Sequence, residues 1–408
     1  MTTRQGGESA SLFAGITRSA VIIGFVSLFS DISGEMIYPV LPLFLTATLG
    51  APATVVGLVE GIAVGTANAV GGFSGWISDR LGRRKPIAFF GYALTAATRP
   101  VIAAAQVWPL VLGARFAERF GKGIRNAPRD ALLAEATEAR YRGRAFGFER
   151  AMDSAGAVLG PLVALAVVNW ARLDVRSVFL ISAIPATVAA LLILTVKEQR
   201  QRVASGTVKP RLSLAGTTRE YKRLILVMAV FGLANSANAF LILRAEQLGM
   251  ANGAGAGRAM SEAIFAYALF NLVSTLASYP AGAASDQLGR RNLLVAGFAV
   301  YAVSYLGFAL ASRAWMVWPL FALYGLFPAL TEGVAKALAV DTAGRAGRAT
   351  VIGILSMVTG LTQIAASYIG GVLWDQVSAA ATFYFGAALA AIAVVMLFAL
   401  LPSRLQAH

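Results

Sequence analysis

Apolar stretches of twenty or more residues recur along the whole chain, and they limit its fold more than any other feature. About 20 apolar residues in a helix cross the hydrocarbon core of a bilayer, so the chain is predicted to be an all-α membrane protein with about twelve transmembrane helices. Only 13% of the 408 residues are charged, against about 25% in soluble domains. The predicted spans are 18–45, 53–78, 86–106, 108–134, 144–168, 175–196, 221–247, 259–284, 292–311, 315–340, 348–374 and 379–401.

Basic residues collect in alternate loops, and this placement predicts the orientation in the membrane. Loop 46–52 is uncharged, whereas its neighbours carry the positive charge that marks cytoplasmic loops. Both termini are therefore expected in the cytoplasm, in a bacterial-type inner membrane. The net charge of +15 is explained by these loops and a basic linker, so no nucleic-acid partner is expected. The polar segment 1–17 lacks the pattern of a signal peptide.

The absence of cysteine and the near absence of histidine limit the chemistry. There is no cysteine, and the only histidine is His408. Disulfides and the usual zinc and iron sites are therefore not expected, and neither a metal nor a cofactor is predicted. Without a histidine in the spans, any proton carrier there must be a carboxylate. No nucleotide-binding glycine loop is found, which argues against ATP-driven pumping.

The two halves of the chain repeat each other, which indicates a duplicated unit. The predicted domains are tail 1–17, six-helix bundle 18–196, basic cytoplasmic linker 197–220, six-helix bundle 221–401 and tail 402–408. The linker is interpreted as a solvated connector near anionic lipid, with a regulatory or partner site as the alternative. Matching segments are 75–84 with 282–291, 107–110 with 317–320, 143–145 with 347–349, and Trp170 with Trp374.

The loop between the second and third spans carries a glycine, aspartate and arginine pattern that resembles the signature of the major facilitator superfamily. Its residues are Gly75, Asp79, Arg80, Gly82, Arg83 and Arg84. The resemblance covers the whole chain and implies a 6+6 parallel-repeat fold that works by alternating access. It also implies gating contacts: Asp79 would accept from a helix N-terminus of the opposite half, and Arg83 would pair with a carboxylate such as Glu135. Asp286 and Arg290 are the corresponding residues of the second half.

A second resemblance, to the drug:proton antiporter branch, rests on Gly156–Pro161 and on Arg115 in the fourth span. It implies exchange of a small molecule against protons. The sequence departs from the branch pattern after Pro161, where Ala164 and Leu165 replace a glycine pair, and also after Arg115. Small residues that only allow close helix packing are the alternative interpretation of the two glycines.

The first span places Ser27, Asp31, Glu35 and Tyr38 within an arc of about 80° on a helical wheel. Ionisable groups inside a membrane are costly and face protein or water. Two carboxylates on adjacent turns repel each other, which raises the affinity of one for a proton. Asp31 and Glu35 are therefore predicted to couple transport to protons, with fixed salt bridges to the fourth span as the alternative.

The fourth span gathers its charges on one face, within an arc of about 140°. If the fourth and fifth helices form an antiparallel hairpin, Arg129 is level with Glu149 and Arg125 with Asp153, and these four are predicted to neutralise one another in a gating role. The predicted central site contains Tyr38, Arg115, Glu118, Arg119, Lys122 and Asn126 together with the two coupling acids.

The second half contributes fewer polar residues. Asn235 and Asn238 occupy positions that match the neighbourhood of Asp31, and both are predicted to bind substrate. Glu332 is predicted to line the cavity, or else to brace Lys336 one turn away. Glu60 on the second span has no evident partner.

The leading functional hypothesis is secondary active efflux of a small molecule against protons by a monomer that is not an enzyme. Proton symport of an organic anion is the alternative, and a membrane sensor without transport belongs to another class. Three basic groups facing three acids favour an anionic or zwitterionic ligand, while a lipophilic cation stays open.

Overall fold

The computed structural model describes residues 17–81, 83–138, 141–198, 217–343 and 348–401, without the side chains at 72, 75–81, 143, 283, 285–287 and 348–350. Within these ranges every regular element is a helix. The predicted tails and most of the linker 197–220 lie outside the described residues. The helices are α1 (Arg18–Ile37), α2 (Ala53–Leu81), α3 (Lys85–Ala104), α4 (Trp108–Glu135), α5 (Arg142–Leu165), α6 (Val175–Leu194), α7 (Arg219–Ala234 and Ala239–Ala251), α8 (Ala256–Leu288), α9 (Arg290–Leu310), α10 (Val317–Thr342), α11 (Arg348–Gln376) and α12 (Ala379–Leu400).

Most helix bounds follow the predicted spans closely. The first span, predicted as 18–45, is divided, because α1 ends at Ile37 and the short helical segments Leu41–Leu43 and Phe44–Thr48 follow it. Among the described residues, eleven helices are long and apolar enough to cross a membrane. The exception is α4, whose 28 residues extend about 42 Å, longer than the hydrocarbon core. α4 is long enough to cross the membrane, but its charged face makes it less apolar than the other eleven helices.

Large apolar side chains are exposed around the helical bundle. Leu276, Ile184, Val395, Leu191 and Phe398 each expose more than half of their surface. Soluble monomers rarely expose contiguous apolar surface on this scale, so these side chains form the surface that contacts lipid.

Packing is organised within the first six and the last six helices. In the first set α1 packs on α5 and α6, while α4 packs on α2 and α3. In the second set α7 packs on α11 and α12, while α10 packs on α8 and α9. The sets meet where α2 contacts α11 and α5 contacts α8. Two helix pairs thus make most of the interface, and smaller contacts join α2 and the segment Leu41–Leu43 to the second part of α7.

The predicted seventh span, 221–247, is not one continuous helix, because the structure interrupts α7 between Ala234 and Ala239. Backbone groups freed inside a membrane need other partners. The Tyr301 hydroxyl donates to the Ala234 carbonyl at 2.7 Å, and the Ala237 N–H donates to Ser367 Oγ at 3.1 Å. Tertiary contacts therefore stabilise a break that hydrophobic periodicity alone does not reveal.

Candidate functional site

A polar cavity that is partly open lies between α1, α3 and α4, and the charged face of α4 forms much of its wall. The structure thus brings the acids of the first helix and bases of the fourth into one space. The lining residues are Ser30, Asp31, Gly34, Glu35, Thr95, Arg99, Glu118, Arg119, Lys122 and Arg125.

The two acids of α1 have different partners. The Asp31 Oδ1 atom lies 3.9 Å from Lys122 Nζ, which is an ion pair without a direct hydrogen bond. Glu35 accepts from the Tyr267 hydroxyl at 3.0 Å and from Asn271 Nδ2 at 3.4 Å, both on α8. Tyr38 stacks on Tyr267 with 5.3 Å between ring centroids. Glu35 therefore joins the cavity to the opposite set of helices.

The glycines of α5 pack directly behind these acids. A Cβ atom at Gly156 would lie 2.7 Å from the Leu28 carbonyl oxygen and 2.9 Å from Asp31 Cβ. One at Gly160 would lie 2.6 Å from Glu35 Cβ. Any side chain at either position would push α5 away from α1, so the small residues set where both carboxylates stand.

A buried ionic network lies beside the cavity and joins α2, α3 and α4. Arg115 pairs with Glu60 and with Glu118, each at 2.6 Å, and Glu118 also pairs with Arg99 at 3.2 Å. Arg99 and Arg115 are fully buried. The expectation that Glu60 lacks a partner is therefore wrong. Of the two predicted substrate ligands here, Glu118 lines the cavity, whereas Arg115 lies outside the lining and pairs with two carboxylates.

Arg99 lines the cavity although it was not among the predicted site residues, and Ser30, Gly34 and Thr95 do so too. The Arg99 Nε atom donates to Ser33 Oγ at 3.1 Å. A single arginine within an apolar span is a signal by itself, because such a charge must face protein or water.

The predicted pairing of Arg125 with Asp153 is not observed. Arg125 donates to Ser30 Oγ at 2.6 Å and Thr95 Oγ1 at 3.1 Å, while Asp153 pairs with Arg150 at 2.9 Å. The hairpin assumption fails because α4 packs mainly on α2 and α3, and α5 on α1. α4 and α5, although consecutive in the sequence, are thus not neighbours along their length.

The other predicted pair of this group is present. Arg129 lies 3.0 Å from Glu149 and 2.8 Å from Asp130. Ser27 Oγ donates to Glu149 at 2.6 Å. This cluster ties α4 to α1 and α5 at the predicted cytoplasmic end, away from the cavity lining.

The predicted gating contacts are partly described. Glu135 pairs with Arg84 rather than with Arg83, which is exposed. Arg84 stands immediately before α3 and forms the ion pair that was predicted for Arg83. Arg290 pairs with Asp341, so it links α9 to α10 within the second set. The structure describes only the backbone at Gly75, Asp79 and Asp286, so the contacts predicted for these residues lie outside what it describes.

The remaining predicted ligands do not line the cavity. Asn126 and Asn235 are half-buried, Asn238 accepts from the Tyr324 hydroxyl at 2.7 Å, and Glu332 is exposed. Glu332 forms no ion pair with Lys336 within the described part of the chain. No group of three or more His, Cys, Asp or Glu in the described ranges is placed to hold a metal ion.

Comparison with known proteins agrees with this architecture. The Major Facilitator Superfamily model matches residues 23–261 and 224–407. An uncharacterized MFS-type transporter of Methanocaldococcus jannaschii is 33% identical over 382 residues, 94% of each chain. The multidrug resistance protein MdtH of Photorhabdus laumondii is 35% identical over 129 residues, 31% of this chain and 32% of its own. The crystal structure of the nucleoside transporter NupG superposes with a TM-score of 0.74 at 14% identity, over 94% of this chain and 98% of that one.

Proposed function

This chain belongs to the Major Facilitator Superfamily, and on that basis we propose that it exports a small organic molecule in exchange for protons. It is a multi-pass membrane protein and a secondary transporter, and its relatives are transporters rather than enzymes. The observation that carries the proton-coupled mechanism is the position of Glu35, a carboxylate in the cavity that is hydrogen-bonded to the opposite set of helices.

Proton binding at Glu35 would act on the contact between the helix sets. An ionised carboxylate accepts from Tyr267 and Asn271 together, and charge-assisted hydrogen bonds are the stronger kind. Protonation removes that charge and weakens both bonds. A group whose protonation state changes the relative stability of two conformations is what coupled transport requires.

Export is supported by two further observations. Gly156 and Gly160 of the antiporter-like segment pack against Asp31 and Glu35, so this segment positions both proposed proton carriers. Several partial relatives, including those of Photorhabdus laumondii and Cronobacter sakazakii, are named multidrug resistance proteins. Both observations support exchange of a small molecule against protons.

Reconstitution in liposomes tests the direction. We expect substrate to move against protons, followed with a pH-sensitive dye while labelled substrate is counted. Asp31→Asn and Glu35→Gln are expected to keep substrate exchange but to lose accumulation driven by a proton gradient. Normal accumulation in both variants would remove the coupling assignment, and ligand binding without any flux would favour a sensor.

Proton symport of an organic anion is the second candidate, and the 3.9 Å pair between Asp31 and Lys122 favours it. Protonation of Asp31 would leave Lys122 without its counter-ion, so that a proton and an anion would occupy the cavity together. Movement of substrate and protons in the same direction in the liposome assay would establish this candidate and exclude export.

We also propose a duplicated 6+6 arrangement with domains 18–196 and 221–401, both termini in the cytoplasm of a bacterial-type inner membrane, and a monomeric unit. Support comes from the packing pairs, which have the same pattern in α1–α6 and in α7–α12. The ion pairs Arg84–Glu135 and Arg290–Asp341 also join corresponding helices.

A further inference from the structure

We infer that the cavity binds its substrate through an anionic group, a carboxylate or another small oxyanion, held between the guanidinium groups of Arg119 and Arg125. The inference rests on the proposed function, since it takes the cavity to be the transport site, and it names the class of substrate. It also gives Arg125 a role in binding rather than in gating.

The acids of the cavity are already engaged by other groups. Glu118 is held by Arg99 and Arg115, Asp31 is paired with Lys122, and Glu35 accepts from α8. No carboxylate in the described part of the chain lies within ion-pair distance of Arg119 or Arg125. The uncompensated charge of the lining is therefore positive.

Arg125 is built into the cavity wall in a fixed orientation. Arg125 exposes only 5% of its surface. Its terminal nitrogens donate to Ser30 and Thr95, and its guanidinium lies 4.1 Å from the centroid of the Tyr92 ring. The Nε atom is buried and has no acceptor among the described protein atoms. Hydroxyl groups thus orient this cation without neutralising it, which leaves its charge for a ligand.

Arg119 supplies the second cation. It lines the same cavity, forms no hydrogen bond or ion pair within the described ranges, and also has a buried Nε without an acceptor. Arg119, Lys122 and Arg125 follow one another at steps of three residues, so they lie within an arc of about 120° on α4. Planar guanidinium groups match the geometry of carboxylates and phosphates, so the two arginines favour an oxyanion over a cation or a neutral polar group.

The test compares three probes of similar shape and different charge on the purified full-length chain in detergent. These are benzoate, its neutral amide benzamide and the cationic benzylamine, with inorganic phosphate as a second anion. Binding is measured as a ligand-dependent rise in the thermal unfolding midpoint. We expect benzoate or phosphate to stabilise the protein and the other two probes to have little effect.

Arginine variants locate the anion. Arg125→Gln and Arg119→Gln are each expected to weaken anion binding about tenfold, since each removes a charge-assisted contact. The control Arg258→Gln removes an exposed arginine that lies outside the cavity, and it is expected to bind as the unmodified protein does. Arg119 is only half-buried, so Arg119→Gln keeps the test valid if Arg125→Gln does not fold.

Three results would overturn the inference: no stabilisation by either anion, equal stabilisation by benzylamine or benzamide, or unchanged anion binding in both arginine variants. The assay needs no proton gradient, so it is independent of the direction of transport. Anion binding with no coupled proton movement in liposomes would refute the proposed function and leave this inference standing.

Discussion

Buried charges on α4 are stabilised by partners from two neighbouring helices. Glu118 is 4% exposed and forms ion pairs with both Arg99 and Arg115. Glu60 pairs with the other terminal nitrogen of Arg115. A buried ion pair gains little over an apolar pair, but loss of one partner leaves an uncompensated charge. The network therefore acts as a rigid wall beside the cavity, and its members are sensitive to single substitutions.

Removal of one carboxylate tests this wall. We expect Glu118→Gln to lower the free energy of unfolding by about 3 kcal/mol, because two buried arginines lose their common partner. The control Glu262→Gln breaks an exposed pair with Arg258 and is expected to cost less than about 1 kcal/mol. Thermal unfolding of both purified variants measures the difference, and equal midpoints would show that the network does not stabilise the fold.

At the scale of helices, close approach decides where functional groups stand. Gly160 lets α5 contact the backbone of α1, since a Cβ atom there would also lie 2.9 Å from the Ile32 carbonyl oxygen. Backbone atoms cannot rotate away as a side chain can. The contact therefore holds Glu35 at a fixed distance from α5.

A pair of glycine substitutions on the same helix tests this contact. Gly160→Ala is expected to separate α5 from α1, lower the thermal midpoint and reduce proton-driven transport. Gly147→Ala is the matched control, because a Cβ atom there meets nothing within 4 Å, and alanine is favoured over glycine in a helix by about 0.5–1 kcal/mol. Equal midpoints and transport rates in the two variants would show that Gly160 does not set the distance between α5 and α1.

At the scale of the whole molecule, the two helix sets are held together at the N-terminal end of α2. The Asp375 carboxylate on α11 accepts from the Ala53 N–H at 3.0 Å, the Thr54 N–H at 2.7 Å and the Thr54 hydroxyl at 2.6 Å. A carboxylate at a helix N-terminus binds unpaired N–H groups and the positive end of the helix dipole. Gly371 allows this approach, because a Cβ atom there would lie 2.5 Å from Thr54 Cα. The predicted orientation puts this contact on the external side, where it would stabilise the externally closed state.

Cysteine labelling tests that contact without background, because the chain contains no cysteine. Ser367→Cys places a thiol at a fully buried position where α11 meets Gly57 of α2. Addition of Asp375→Ala is expected to speed its labelling by an impermeant maleimide about tenfold, through loss of charge-assisted bonds. The control Asp174→Ala removes a carboxylate cap within one helix set and is expected to leave labelling unchanged. Equally slow labelling with and without Asp375→Ala would show that Asp375 does not stabilise the externally closed state.

Helix number, most helix bounds and the polar faces of α1 and α4 were predictable from the sequence, because they depend on local periodicity and on the cost of charge in a bilayer. Eleven apolar helices and the charged α4 lie close to the predicted spans, and Asp31 shares a cavity with Lys122 as their faces indicated. The Arg129–Glu149 pair was predictable too.

Partner choice was decided only by the tertiary structure, because it depends on which helices are neighbours. Arg125 faces Ser30 and Thr95 instead of Asp153, since α3 and not α5 packs beside α4. The same packing buries Glu60 against Arg115 and leaves Arg119 and Arg125, among the described residues, as the cations of the cavity without a carboxylate partner. Sequence periodicity assigns a side chain to a face of its own helix, whereas the residue opposite that face belongs to another part of the chain.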